Sequence, residues 1–127
     1  MAAHTFSIRI DVRRNVMYLE QQGRPTAESF LRLKQAFVPE VEKLCPGFSI
    51  VNDQREMEPY DDEAMEVAKD LVEITGRFGA TRVIRILPVD VFSAIKLSTT
   101  LIEARSRYTS IRVATPEEAE EALDTFS

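Results

Sequence analysis

The chain has 127 residues, of which 44% are hydrophobic and 29% are charged, and it contains few glycines and prolines. This size and composition predict a single globular domain over residues 1–127, and they exclude a disordered or repetitive chain. Because 21 acidic residues outnumber 16 basic ones, the formal net charge is -5, which opposes binding to the phosphate backbone of nucleic acids.

The first two predicted elements are the strands of a hairpin. Residues 6–12 alternate apolar and polar side chains, which is the period of a strand with one buried face. A short polar segment at 13–15 separates this strand from a second one over residues 16–23. So short a connection permits only antiparallel pairing of the two strands.

The next predicted element is a helix with Thr26 as its N-cap. Its apolar residues are spaced three and four apart from Phe30 to Leu44. Pro39 lies within this stripe and removes one backbone donor. We therefore expect a kink or a break near Val38.

The following elements alternate between strands and helices. A short strand over residues 48–53 precedes a helix whose apolar stripe runs from Ala64 to Phe78, with Gly79 as its C-terminal cap. The four segments that follow are predicted as a strand, a helix, a strand and a helix, over residues 81–87, 88–106, 110–115 and 115–126.

The final helix has the strongest terminal signals in the sequence. Thr115 is its N-cap, Pro116 takes the first helical position and Glu118 completes a capping box. The whole order is ββαβαβαβα, and strands that alternate with helices imply parallel pairing through right-handed crossovers. We therefore predict an α/β fold with four helices and a mixed sheet of about five strands, in which the N-terminal hairpin is antiparallel.

Three segments of the sequence resemble the anti-sigma-factor antagonist fold, also called the STAS or SpoIIAA-like domain. They are the junction NDQREMEPYDDEAMEVAKDL, the strand segment GATRVIRILP and the ending IRVATPEEAEEAL. The resemblance covers nearly the whole chain and is strongest for stand-alone bacterial proteins of this fold that lack an assigned activity. It implies a STAS-like domain that binds another protein in a signalling or regulatory role.

Signalling members of the STAS family carry a phosphorylated turn at the start of the second helix. There, a strand ending in Asp leads to an Asp-Ser-Ser/Thr-Gly turn, and a partner kinase phosphorylates the Ser or Thr to break the complex. By this resemblance Asp53 takes the place of the strand-ending Asp. The turn itself reads PYDDEA over residues 59–64, without Ser, Thr or Gly, so the phosphoacceptor is missing.

The acidic residues at this turn are the leading candidates for an interaction surface. Backbone N–H groups at a helix start are unpaired, so Asp61 or Asp62 stabilises the helix and can stand in permanently for a phosphorylated turn. The alternative is that both residues only cap the helix and add solubilising charge. Our leading hypothesis is a non-catalytic domain that recognises a basic protein partner through the following residues: Asp53, Glu58, Tyr60, Asp61, Asp62 and Glu63.

A second hypothesis is a small-molecule site between the sheet and the helices. Arg85 shares a strand face with Val83, and a buried guanidinium needs a paired carboxylate or an anionic ligand unless its head reaches water. The predicted helix over 88–106 is more apolar than one inward stripe requires. It can pack on a second copy, as a homodimer, or cover a lipophilic cavity, as in the Sec14-type fold to which STAS architecture is similar. The alternative function is binding of a small apolar or anionic ligand by these residues: Arg85, Phe92 and Lys96.

Catalytic and metal-binding signals are weak by comparison. The acidic segment lacks the glycine and the ligand spacing of an EF-hand. His4 lies in an N-terminal segment that we expect to fray, and Cys45 lies at a helix C-terminus, where the dipole does not activate a thiolate. We therefore expect no enzyme activity, cofactor or metal. A hydrolase or lyase that uses the carboxylates ranks last, and Asp62→Asn would abolish its turnover.

The sequence also bears on location. No apolar segment approaches the length of about 20 residues that spans a bilayer, and MAAHTFSIRI lacks the pattern of a secretory signal. A single cysteine cannot form an internal disulfide, which fits a reducing compartment. We therefore expect a cytoplasmic protein without a membrane span.

Overall fold

The computed structural model describes residues 2–88 and 107–125 of the chain. These residues form five strands and three helices. The strands are β1 (Thr5–Asp11), β2 (Val16–Gly23), β3 (Ser49–Met57), β4 (Arg82–Ile86) and β5 (Thr109–Val113). The helices are α1 (Ala27–Val41), α2 (Asp62–Arg77) and α3 (Pro116–Thr125).

All five strands lie in one sheet, in the same order as in the chain. β1 and β2 are antiparallel, whereas β3, β4 and β5 are each parallel to the preceding strand. This confirms the predicted mixed α/β sheet with its N-terminal hairpin. The described residues contain three helices rather than the predicted four, and residues 89–106 of the remaining predicted helix lie outside them.

The two faces of the sheet pack against different helices. α1 and α2 cover one face, where Phe37 of α1 packs with Ile50 and Val83 in a buried cluster. α3 covers the other face, where Leu123 packs with Ile84. Consecutive residues of β4 therefore point to opposite helical layers, as strand alternation requires.

Side-chain caps fix the starts of the described helices. Thr26 Oγ1 accepts a hydrogen bond from the Ser29 N–H at 3.0 Å, and Ser29 Oγ accepts one from the Thr26 N–H at 2.8 Å. Asp61 accepts a hydrogen bond from the Ala64 N–H at 2.9 Å, and Thr115 caps α3 in the same way. The predicted caps Thr26 and Thr115 are confirmed, and each satisfies backbone donors that the helix leaves unpaired.

Helix α1 continues through Pro39 to Val41, so a break near Val38 is wrong, whereas the alternative of a kink there stays a prediction. Pro39 is exposed and lies in the last turn, where its missing N–H removes only one hydrogen bond of the helix. The turn that follows stays closed, because the Glu42 N–H donates to the Val38 carbonyl at 3.2 Å.

Strand β3 is longer than the predicted segment over residues 48–53. Its pairing with β4 ends at Asp53, opposite Ile86, whereas its pairing with β2 continues after a shift of register to Met57, opposite Gly23. β2 is long enough to keep β3 extended beyond the end of β4. Asp53 therefore lies inside the strand, and the prediction that it ends the strand is wrong.

The C-terminal end of α2 also follows the sequence. Gly79, the predicted cap, adopts a φ of 99° just after the helix, a conformation that glycine takes without steric cost. None of the helices within residues 2–88 and 107–125 has the length and apolar character needed to cross a membrane.

A polar cluster at the rim of the sheet holds α3 against the first hairpin. Tyr18 donates its hydroxyl proton to Glu120 Oε1 at 2.7 Å, and Arg14 Nη2 donates to Glu120 Oε2 at 2.9 Å. Partial burial raises the pKa of Glu120, but the hydrogen bonds from Tyr18 and Arg14 outweigh it and lower the pKa. The Arg9 guanidinium stacks 4.1 Å from the centre of the Tyr18 ring.

Candidate functional site

A cavity of about 110 Å³ lies between the sheet and the helices α1 and α2. Its walls are mainly apolar side chains from both layers, among them Leu19, Phe30, Leu33, Phe37, Leu71 and Val83. Polar side chains from the central strands β2, β3 and β4 also line it: Gln21, Asn52, Gln54 and Arg85. An apolar cavity with a few convergent polar groups is the usual form of a small-molecule site.

The polar part of the cavity follows from strand alternation. Ile50 and Val83 face the helices α1 and α2, so Asn52, Gln54 and Arg85, which are in phase with them, face the same way. The register places Asn52 directly opposite Arg85. Sequence reasoning identified Arg85 but missed Asn52 and Gln54, although their spacing from the apolar Ile50 was a usable signal.

Arg85 is the buried charge of this cavity, because only 5% of its surface is exposed. Its Nε donates a hydrogen bond to Gln54 Oε1 at 2.7 Å, which fixes the plane of the guanidinium. Burial lowers the pKa of Arg85 from its ordinary value, while Tyr60 raises it and Arg112 lowers it further. An arginine nevertheless keeps its proton in proteins, so the cavity wall is positively charged.

Two tyrosines also line the cavity. Burial raises the pKa of both Tyr60 and Tyr108, and the charge of Arg85 opposes that rise. The Tyr60 ring stands edge-on to Phe30, with ring centroids 5.2 Å apart. The interaction surface inferred from the sequence includes Tyr60, but the structure places its ring in the cavity wall, because the ring packs against α1.

A chain of hydrogen bonds reaches the cavity from the N-terminal segment. His4 Nδ1 lies 2.8 Å from Ser29 Oγ, and His4 Nε2 lies 2.9 Å from Gln21 Oε1. Gln21 Nε2 in turn donates to Asn52 Oδ1 at 3.0 Å. Burial lowers the pKa of His4 below its ordinary value, whereas the hydrogen bond with Gln21 raises it and the charge of Arg32 lowers it.

The expectation that His4 lies in a fraying segment is wrong, because the residue is only 7% exposed. The segment before β1 pairs with the end of β2, where the Arg24 N–H donates to the Ala2 carbonyl at 3.0 Å and Ala3 bridges to Arg24. Gly23 permits this approach, since it has a φ of 82° and a Cβ there would lie 2.2 Å from the Ala3 carbonyl oxygen.

The acidic turn before α2 is exposed, as the interaction hypothesis requires. Asp61 is the N-cap, and Asp62 and Glu63 occupy the first turn of the helix. The ion pairs within the described part of the chain involve none of these three carboxylates. Glu58 is half-buried before the turn, and its N–H donates to the Gly23 carbonyl at 2.8 Å.

Asp53 does not join that acidic turn. It is in phase with Val51, which packs on the α3 face of the sheet, whereas α2 covers the opposite face. The Arg55 guanidinium donates two hydrogen bonds to it, at 3.0 and 2.8 Å, and the Arg55 backbone N–H donates a third at 3.2 Å. Partial burial raises the pKa of Asp53, but the hydrogen bonds from Arg55 outweigh this and lower the pKa. The structure thus brings together only the three acidic residues at the start of α2.

Other predicted features lie elsewhere. Phe92, Lys96 and the apolar surface predicted for a homodimer lie outside the described residues. Within residues 2–88 and 107–125, no group of three or more His, Cys, Asp or Glu side chains could hold a metal ion. Cys45 is exposed, and its N–H donates to the Asn15 side chain at 2.9 Å, so it belongs to a turn contact.

Comparison with known proteins identifies the fold. The sequence matches none of the known protein families and none of the curated proteins. Among solved structures, the chain is similar to a protein from Shewanella loihica PV-4 described as an uncharacterized protein from the DUF3478 family with a SpoIIAA-like fold. The similarity covers 97% of each chain with a TM-score of 0.75. The chain has a SpoIIAA-like fold.

The SpoIIAA-like fold confirms the resemblance noted in the sequence. The two chains share 14% identical residues, a level that establishes a common fold and leaves the function to be argued from the site. In this SpoIIAA-like domain, the side chains described around the cavity include no carboxylate, imidazole or thiol. The described lining offers one cation, amides, hydroxyl groups and apolar contacts.

Proposed function

We propose that this SpoIIAA-like domain is a non-catalytic binding protein whose cavity holds a small organic anion. The anionic group lies against the Arg85 guanidinium and the amides of Asn52 and Gln54. A short apolar body contacts the aliphatic and aromatic walls supplied by α1 and α2.

Arg85 is the observation that carries this proposal. Removing a cation from water costs on the order of several kcal/mol, and an apolar residue of similar volume is often at least as stabilising. Arg85 is nevertheless buried in the wall of a mainly apolar cavity, with its Nε oriented by Gln54. A fixed planar cation in such a place matches the geometry of a carboxylate, which it can bind through two parallel hydrogen bonds.

The cavity volume limits the ligand. Pockets that hold drug-sized ligands have volumes of about 300–1,000 Å³. The described residues bound about 110 Å³, which suits a short branched carboxylate and not a long acyl chain. Of the apolar and anionic ligands that the sequence left open, the cavity therefore favours a small anion.

An NMR titration with sodium isobutyrate tests the proposal, with isobutylamine as a cationic probe of similar size. The wild type is expected to show chemical-shift changes at the cavity residues at much lower concentrations of isobutyrate than of isobutylamine. Arg85→Met removes the charge but keeps an apolar stem. It should weaken isobutyrate binding at least about tenfold, since a hydrogen bond to a charged group contributes about 1.5–3 kcal/mol.

Arg82→Met is the matched control, because Arg82 belongs to the same strand but faces α3, where its Nη2 donates to the Leu123 carbonyl at 2.9 Å. This variant should keep its affinity for isobutyrate. Thermal unfolding shows whether both variants are folded, and Arg85→Gln, which also removes the charge but keeps a polar head, replaces Arg85→Met if that variant does not fold. Failure of the wild type to bind isobutyrate, or unchanged binding by the folded Arg85 variant, would contradict the proposal.

A second candidate function is protein binding through the start of α2. Three carboxylates, those of Asp61, Asp62 and Glu63, are exposed side by side at a capped helix start. A negative surface held on a rigid element can steer a partner with a basic surface and fix its orientation. This is the regulatory role that the STAS resemblance implies.

A pull-down at low salt tests this second candidate by comparing the wild type with Asp62→Lys/Glu63→Lys. Asp61 stays unchanged so that the N-cap is kept. The control Glu117→Lys/Glu121→Lys makes the same change of charge on exposed positions of α3. A partner lost by the first variant and kept by the second supports the acidic turn, and a partner kept equally by both excludes it.

A further inference from the structure

The hydrogen-bond chain that ends at the cavity has a direction. It runs from Ser29 through His4 and Gln21 to Asn52, with donor–acceptor distances of 2.8, 2.9 and 3.0 Å. His4, Gln21 and Ser29 are all buried, so water does not replace these partners. The direction of each hydrogen bond in the chain therefore depends on the direction of the neighbouring hydrogen bond.

The orientation of the Gln21 amide and the position of the imidazole proton depend on each other. Because Gln21 Oε1 can only accept, His4 Nε2 must be the protonated nitrogen of the ring. In the neutral ring His4 Nδ1, at 2.8 Å, then competes with the Thr26 carbonyl, at 3.1 Å, for the single proton of the Ser29 hydroxyl, and the chain takes this direction when Nδ1 accepts it. Every donor in the chain consequently points from the start of α1 toward the cavity.

The chain ends at the side-chain amide of Asn52, which lines the cavity. Since Asn52 Oδ1 already accepts from Gln21 Nε2, the Nδ2 group is the atom that this side chain has left for a ligand. The neighbouring Gln54 is oriented in the same sense, because its Oε1 accepts from Arg85 Nε. The polar wall of the cavity therefore presents hydrogen-bond donors.

The opposite tautomer of His4 would make Asn52 present a hydrogen-bond acceptor to the cavity instead of a donor. An imidazole protonated at Nδ1 would donate to Ser29 and accept from Gln21 Nε2, and Gln21 Oε1 would then accept from the Asn52 amide nitrogen. Asn52 would present its oxygen to the cavity. One proton on a ring outside the cavity thus selects between a donor and an acceptor inside it.

We propose that His4 is a positioning residue that, through Gln21, orients the Asn52 amide so that the cavity selects hydrogen-bond acceptors such as carboxylates. This inference rests on the proposed function for its ligand and on the hydrogen-bond chain for its direction. A doubly protonated imidazole also donates from Nε2, so it preserves the same orientation of Gln21 and Asn52.

The direction is tested first, without any ligand, by ¹⁵N NMR of the imidazole in the wild type. We expect the neutral His4 imidazole to carry its proton on Nε2. A neutral ring that carries its proton on Nδ1 overturns the inference, whatever the protein binds.

The selectivity is tested with the ratio of affinities for isobutyrate and isobutylamine. His4→Phe keeps an aromatic ring between Phe6 and Phe30 but frees Gln21 to turn, and it should lower the preference for isobutyrate about tenfold, the effect of one hydrogen bond to a charged group. His4→Gln, whose amide can again donate to Gln21, should restore most of the preference. A merely structural role for His4 would change the unfolding temperature and leave the ratio unchanged.

The outcomes separate this inference from the function on which it rests. Absence of isobutyrate binding by the wild type overturns the proposed function, and the ¹⁵N result still decides the direction of the chain. Binding that depends on Arg85 but keeps the same preference in the folded His4→Phe variant overturns the inference alone.

Discussion

On the α3 face of the sheet the buried core is aliphatic, as at Ile84 and Leu123, and the charged groups stay at its rim. On the face covered by α1 and α2, by contrast, His4, Gln54 and Arg85 are buried among apolar neighbours. Buried polar groups cost free energy unless they are fully hydrogen-bonded, so a core that serves stability alone does not need them. Under the proposed function, the α3 face serves stability and the opposite face serves recognition.

The largest expected effect comes from truncating one isoleucine on each face. Ile84 is fully buried on the α3 face, so Ile84→Ala should lower the free energy of unfolding by about 4 kcal/mol, because it opens a new cavity. Ile50 borders the existing cavity, so Ile50→Ala should lower it by only about 2–3 kcal/mol. Urea denaturation measures the free energy of unfolding of both variants. Equal losses would contradict the difference in packing between the two faces of the sheet.

A smaller effect is expected from the anchor that holds His4 in place. Gly23→Ala should lower the free energy of unfolding by about 2–3 kcal/mol, because it adds a clash with the Ala3 backbone to the cost of a positive φ. Gly47 also has a positive φ, but nothing lies within 4 Å of an added Cβ, so Gly47→Ala should cost only about 1 kcal/mol. Denaturation experiments measure the free energy of unfolding of both variants. Similar losses would show that the N-terminal segment moves away from the added methyl group at no cost in free energy.

The smallest expected effect is a dependence of stability on pH through His4. Because burial lowers the pKa of His4 in the folded state, the unfolded chain takes up the proton first as the pH falls below the ordinary value of 6.5. Stability is therefore complete above that pH and declines below it until the pH passes the folded-state pKa. One proton sets a slope no steeper than about 1.4 kcal/mol per pH unit.

Thermal unfolding between about pH 7.5 and 5.5, the range in which histidine titrates, measures this slope in the wild type and in His4→Gln. The variant lacks the titrating ring and should show a flatter profile. Of the groups around the ring, Ser29 and Gln21 are neutral, and Arg32 contributes a nearby positive charge. Identical profiles for the two proteins would show that the ring accepts a proton without loss of stability.

Local patterns in the sequence predicted the architecture well. The alternation from Phe6 to Ile10 and the caps at Thr26 and Thr115 depend on neighbours along the chain, and the structure confirms them. Val12, predicted on the same buried face, lies beyond the end of β1 and is exposed. The break expected near Val38 failed for a different reason. A proline in the last turn of a helix costs only one hydrogen bond, and the burial of Phe37 and Val41 on either side of that position favours continuation.

The candidate site was only partly accessible to sequence reasoning. Arg85 was identified because a charge in a central strand conflicts with its surroundings. The role of His4 depends on Gln21, 17 residues away, and on an approach of backbones that only Gly23 permits. The position of Asp53 inside β3 depends on the length of that strand, because β2 continues to pair with β3 beyond the end of β4. Such contacts between distant segments have no signature in local spacing.

The agreement between strand order and chain order has a consequence for how the protein forms. Each strand after the first pairs with one that precedes it in the chain, so no strand has to insert between two partners that are already joined. Strand pairing therefore proceeds between neighbours in the chain, one hairpin or crossover at a time. During synthesis the sheet can grow from the N-terminal hairpin outwards, one strand at a time, as the chain leaves the ribosome.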